Sequence, residues 1–138
     1  MGRQPRKESE LLAKAKTLRR LLSELLESDS AVVVEGKKDR EALLGLGVAS
    51  ERIFTVHGKP HEVAERVAAF SDRAYVLTDL DAAGEEIMSR IVPALEGSGV
   101  KPDVEMRRRM SGILQVRFFE EIVGKIREFD EKLEEIDR

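Results

Sequence analysis

Asp79 and Asp81 stand two residues apart at the end of the apolar run Tyr75-Val76-Leu77. Positions i and i+2 of an extended chain project to the same side, with Cα atoms roughly 6–7 Å apart. Carboxylates at that spacing can lean onto one hard cation or bracket two. Glu35 follows another apolar run, Ala31-Val32-Val33-Val34, and could close the cluster if the two strands are neighbours; Glu85 lies one helical turn beyond Asp81 and could add a metal ligand or support one. Carboxylates gathered without a cation repel one another and have raised pKa values. All-oxygen ligands with several retained waters suit Mg²⁺, with Mn²⁺ as a substitute. Such an ion polarises a phosphate oxygen and neutralises charge on the attacking and leaving oxygens. Lys37 and Lys38 after the first run, Lys59 after Arg52–Val56 and Arg107, Arg108 and Arg109 after Val104–Met106 are expected to hold flanking phosphates. Taken singly, each acidic residue is more often a helix cap or a solvated loop residue, and Asp81 sits where the following helix takes its N-cap.

For these residues to meet, the elements before them must end at one edge. Ala31–Val34, Arg52–Val56 and Arg73–Thr78 read as strands, and the absence of alternation in the first marks a strand buried on both faces. Val104–Met106 reads as a fourth. Helices are expected at 39–46, 61–70 and 83–95, with Pro93 kinking or splitting the last. This alternating order gives an α/β fold with a four-stranded, mainly parallel Rossmann-like sheet covered by helices on both faces. Ligands of such sheets sit beyond the carboxyl ends of the strands, where Glu35, Asp79 and Asp81 stand. Residues 1–7 read as a disordered basic tail, and a helix from Ser9 carries the stripe Leu11, Leu18, Leu22 and Leu25, widened by Leu21 and Leu26. A last helix, about 114–136, carries Phe119, Ile122, Ile126, Phe129 and Leu133. The division is therefore 1–29 (tail and helix), 30–110 (the α/β domain) and 111–138 (helical extension). The terminal helices are expected to cover the sheet or to join two chains.

Composition narrows the function. The chain has 138 residues, enough for one core, and no apolar run near the ~20 residues a membrane span needs. No apolar segment follows Met1–Lys7, so no secretory signal is expected and the chain is read as cytoplasmic. With no cysteine there is no disulfide, thiolate metal site or cysteine nucleophile. A net charge of −3 argues against coating nucleic acid by bulk charge, so a nucleic-acid partner needs a local basic patch. His57 and His61 are four apart, but Gly58 and Pro60 between them prevent a zinc-binding helix face. The Arg107–Arg109 run reads equally as an exposed strand edge kept soluble by charge.

Val32-Val33-Val34-Glu35-Gly36-Lys37-Lys38-Asp39 resembles the first motif of the Toprim domain, and Thr78-Asp79-Leu80-Asp81-Ala82-Ala83-Gly84-Glu85 resembles its Asp-X-Asp motif. That domain is shared by topoisomerases, bacterial primases, a nuclease that matures ribosomal RNA, and small stand-alone proteins. The Glu-Gly-Lys and Asp-X-Asp-X-X-Gly-Glu forms are most similar to the last two. The resemblance spans roughly residues 30–109. It implies Glu35 as general acid or base that can also bind metal, and Asp79 and Asp81 as Mg²⁺ ligands. Glu85 matches a glutamate of some members, and Asp39 a common acidic position better read as an N-cap. Topoisomerase activity is excluded by content, because the sole tyrosine, Tyr75, lies in an apolar strand. Primase activity is not expected without a zinc module.

Three readings follow. The first is Mg²⁺-dependent cleavage or nucleotidyl transfer at RNA or DNA phosphodiesters. The second is a non-catalytic Mg²⁺ and nucleic-acid-binding module of a larger complex. The third, a haloacid-dehalogenase-type phosphatase, ranks last, because its Asp-X-Asp nucleophile follows the first core strand, where this chain has Glu35.

Overall fold

The computed structural model describes residues 5–114 and 122–137. In chain order the elements are α1 (Pro5–Glu27), β1 (Ala31–Val34), α2 (Lys37–Leu46), β2 (Ile53–Thr55), α3 (Pro60–Phe70), β3 (Arg73–Val76), α4 (Ala82–Gly97), β4 (Lys101–Asp103), α5 (Glu105–Leu114) and α6 (Ile122–Asp137). The strands form one sheet in the order β2-β1-β3-β4, and every pair is parallel. The expected α/β class is present.

β1 is central and all four of its side chains are fully buried, as its unbroken apolar run requires. Its alternation splits the core in two. Val32 and Val34, with Tyr75 and Leu77, pack beneath α1, α2 and α5, where Leu18, Leu21, Leu25, Leu43, Met106 and Met110 close the layer. Ala31 and Val33, with Ala74 and Val76, pack beneath α3 and α4 against Val63, Val67, Ile91 and Leu95. Because β2 and β3 lie on opposite sides of β1, the order in which strands are added reverses between β1 and β3. The crevice at that switch point is where open parallel sheets bind ligands.

Several expectations need correction. The segment read as a tail is helical from Pro5 onward, a residue whose fixed φ suits a first helical turn. In the leucine stripe Leu18, Leu21 and Leu25 are buried, whereas Leu26 is exposed. That stripe packs within one chain, beside α5 and α6, so α1 covers the sheet face. α4 runs unbroken through Pro93, which lies on the exposed side, where the carbonyl it leaves unpaired can meet water.

The fourth strand is three residues earlier than expected, at Lys101-Pro102-Asp103. It is an edge strand, and an edge tolerates proline and polar side chains. Residues 104–106 lead into α5 instead, because Asp103 Oδ1 accepts from the N–H groups of Glu105 (3.0 Å) and Met106 (3.4 Å). Met106 and Met110, one turn apart, are the helical signal in that segment. Phe119, and the side chains of Ile122 and Leu133, lie outside the described residues, whereas Ile126 and Phe129 pack against the α1 side of the core.

Candidate functional site at the carboxyl edge

The parallel pairing of β1 with β3, Val33 opposite Val76, brings the two strand exits side by side. The ladder continues past the strands: Leu77 N–H donates to the Val33 carbonyl at 2.8 Å. Two residues on, a side chain replaces the main chain as acceptor. Glu35 Oε1 accepts from the Asp79 N–H at 2.9 Å, across 44 positions of sequence. Glu35 therefore faces the Asp79–Asp81 turn. Its pKa is raised, first by burial; the Asp79 N–H works against that, and the negative charges of Asp79, Asp39 and Asp81 push it up again. Three other carboxylates are thus close enough to be felt at Glu35.

Each neighbour also has a structural task. Asp81 is the N-cap of α4, its Oδ1 accepting from Gly84 N–H at 2.7 Å. Asp39, expected as an N-cap, sits at the third position of α2 and reaches back to the Gly36 N–H at 3.1 Å. Glu85 Oε1 is held by Arg107 at 2.8 Å.

The basic residues divide. Lys37 and Lys38 open α2 and Lys59 stands at the N-cap of α3, all exposed at the carboxyl edge, as is His57. Arg108 and Arg109 are exposed on α5, not alternating on a strand, and Arg108 pairs with Glu105 at 2.7 Å. Arg107 is buried inside the fold, so it cannot be the rim phosphate contact expected of it. Tyr75 is buried, as its apolar strand implies.

Gly84 carries a constraint that its place in the motif alone did not explain. A Cβ there would overlap the Asp79 carbonyl and come within 2.8 Å of Glu35 Oε1. The start of α4 can approach the two strand exits this closely only without a side chain. Gly84→Ala is expected to lower Tm by roughly 3–10 °C, the equivalent of about 1–3 kcal/mol of overpacking. Thermal unfolding checks this; an unchanged Tm would show that α4 is not held against the turn.

No group of three or more His, Asp or Glu side chains among the described residues forms a ready-made metal cage. The donor set still fits Mg²⁺ chemically. That ion commonly takes one or two carboxylates and keeps its waters, so a complete protein cage is not required. Glu35, Asp79 and Asp81 could supply those oxygens. An N-capping carboxylate such as Asp81 keeps a second oxygen for a cation.

Fold and edge together define a Rossmann-like α/β protein with carboxylates gathered at the switch point of a parallel sheet. No family model matches the chain. It is 37% identical over 93 residues to a UPF0292 protein of Pyrococcus horikoshii, covering 67% of this chain and 70% of that one. It is 35% identical over 106 residues to a UPF0292 protein of Thermococcus gammatolerans, covering 75% and 79%, and 41% identical over 91 residues to one from Archaeoglobus fulgidus, covering 64% and 68%. The chain belongs to the UPF0292 family. A solved protein from Aquifex aeolicus superposes with a TM-score of 0.66 at 23% identity, covering 75% of this chain and 96% of its own, which shows the shared fold.

Proposed function

We propose that the protein is a Toprim-like, Mg²⁺-dependent enzyme acting on nucleic-acid phosphodiesters, by cleavage or by nucleotidyl transfer. One observation carries the reading: Glu35 and the Asp79–Asp81 turn, far apart in sequence, share one edge through the Asp79 N–H to Glu35 Oε1 bond. Asp79 and Asp81 would hold the ion, which when bound polarises a phosphate oxygen. Glu35 has the raised pKa that suits a group exchanging a proton with the attacking or leaving oxygen. Lys37 and Lys38 at the start of α2 and Lys59 at the start of α3, all exposed, would position phosphates.

The second reading, a module that binds Mg²⁺ and nucleic acid without turnover, has its own support. Asp81 and Glu85 are both engaged within the fold, which thins the donor set left for chemistry. The test incubates the protein with single- and double-stranded RNA and DNA in Mg²⁺, Mn²⁺ or EDTA, beside the Asp79→Asn/Asp81→Asn variant. Metal-dependent product from the wild type alone supports the enzyme. Salt-dependent binding without product selects the module. Equal product from both proteins overturns the enzymatic reading.

A further inference from the structure

Arg107 has a side chain only 6% exposed. A guanidinium is stable at such a place only if its donors are occupied. Its Nε donates to the Thr78 carbonyl at 2.7 Å, and its Nη2 donates to the Asp79 carbonyl at 2.6 Å and to Glu85 Oε1 at 2.8 Å. All three acceptors lie on the segment 78–85 that leads from β3 into α4, while the donor comes from α5, which follows β4 in the chain and packs on the sheet face beside α1. Two acceptors are main-chain carbonyls, so the side chain senses the path of the backbone and not merely its charge. The Asp79 carbonyl is also the group against which Gly84 packs. The peptide that carries the Asp79 side chain is therefore gripped by α4 and by α5.

We propose that Arg107 is the positioning residue of the carboxylate edge. It holds the 78–85 turn in the path that aims the Asp79 N–H at Glu35 and presents Asp79 and Asp81 to a cation. It also takes Glu85 as its own partner, which leaves Glu85 outside the ligand set. A rigid planar fork does this and an ammonium does not, because only the fork can donate along two directions at fixed geometry. The second of the two measurements below rests on the cation reading of the edge; the first does not.

The first measurement is amide hydrogen exchange without metal, on wild type, Arg107→Lys, Arg107→Met and Glu85→Gln. In the Arg107 variants the Asp79 and Gly84 amides are expected to exchange at least ~10-fold faster, a local opening of the turn. The Leu77 amide, bonded to Val33 within the sheet, is expected to change far less. Glu85→Gln is expected to leave all three near wild type. Should Arg107→Met fail to fold, Arg107→Lys, which keeps the charge and loses the fork, decides the point. Equal acceleration at Leu77 would make Arg107 a general stabiliser and overturn the proposal, as would no acceleration anywhere. The second measurement is titration with Mn²⁺. Arg107→Lys is expected to bind about 10-fold more weakly or worse, the usual effect of losing a group that orients a ligand. Glu85→Gln is expected to bind like wild type; a loss matching that of Arg107→Lys would place Glu85 among the ligands and overturn that assignment. If the wild type binds no Mn²⁺, the cation reading fails while the exchange result still decides the role of Arg107.

Discussion

Glu35→Gln is expected to reduce Mg²⁺-dependent phosphodiester activity by about 10²–10⁴-fold, the usual contribution of a positioned general acid or base, while making the metal-free protein more stable at neutral pH. The two effects have one cause. Glu35 is placed where burial and three carboxylate neighbours disfavour its charge, and that raises its pKa above the ordinary 4.5. In the acidic range below 4.5 the group is protonated whether the chain is folded or not, and it contributes no difference. As pH rises through 4.5 and on through the raised folded value, the unfolded chain releases this proton first. The folded state then binds more protons than the unfolded one, so this group makes stability fall with pH until it is ionised in both states. Gln keeps a carbonyl oxygen that can accept the Asp79 N–H, and it has no charge to lose. The Tm advantage of Glu35→Gln should therefore be absent in acid, grow through the raised pKa and level off above it. The activity of the wild type should show a pH limb that the variant lacks, lying below the metal-free range because a bound cation offsets the negative charge around Glu35. Thermal melts and rate profiles across pH check both. Activity near wild type in Glu35→Gln would remove Glu35 from the chemistry, and a pH-independent Tm difference would show that its environment is not the one described.

The Asp79→Asn/Asp81→Asn variant is expected to lose all metal-dependent activity and all thermal response to Mg²⁺. A ligand that binds only the folded state stabilises it by mass action, about 1.4 kcal/mol at ten times its dissociation constant. For a domain of this size that is a Tm increment of roughly 3–6 °C in the wild type. The variant should show none. Its metal-free Tm should instead rise slightly, because two negative charges are removed from the surroundings of Glu35. Asn at position 81 can still cap α4, so the substitution does not sacrifice that helix start. An Mg²⁺ increment that survives in the variant would put the ion elsewhere. A lowered metal-free Tm would mean that these carboxylates are held by favourable contacts stronger than their mutual repulsion.

Much of the fold is legible in the side-chain pattern. Ala31–Val34 reads as a doubly buried strand because four consecutive apolar residues need apolar cover on both faces, and both core layers meet on it. Strand alternating with helix restricts the sheet to parallel pairing, and parallel strands deliver their exits to one edge. That is why Glu35 and Asp79 were readable on one edge without coordinates, while their adjacency depended on the strand order β2-β1-β3-β4. The fourth strand was not readable in the same way. Lys101-Pro102-Asp103 has no strand-like composition, and it pairs because β3 has an open edge to complete. Displaced by three residues, the next segment becomes helix, and Arg107 moves from an imagined solvent edge into the interior.

What residue types and spacing determined by themselves was the class of fold and the edge at which its acidic residues collect. Tertiary structure alone decided most of the tasks at that edge. The cap at Asp81 was legible in the chain order, whereas Glu85 answers a buried arginine, Gly84 is small because a carbonyl lies against it, and Glu35 receives an amide from a residue 44 positions away. The reason is physical: periodicity reports which face of an element is buried, a local property of the chain. A hydrogen-bond partner or a shifted pKa depends on distances across separate elements, and those exist only once the sheet and its helices are packed.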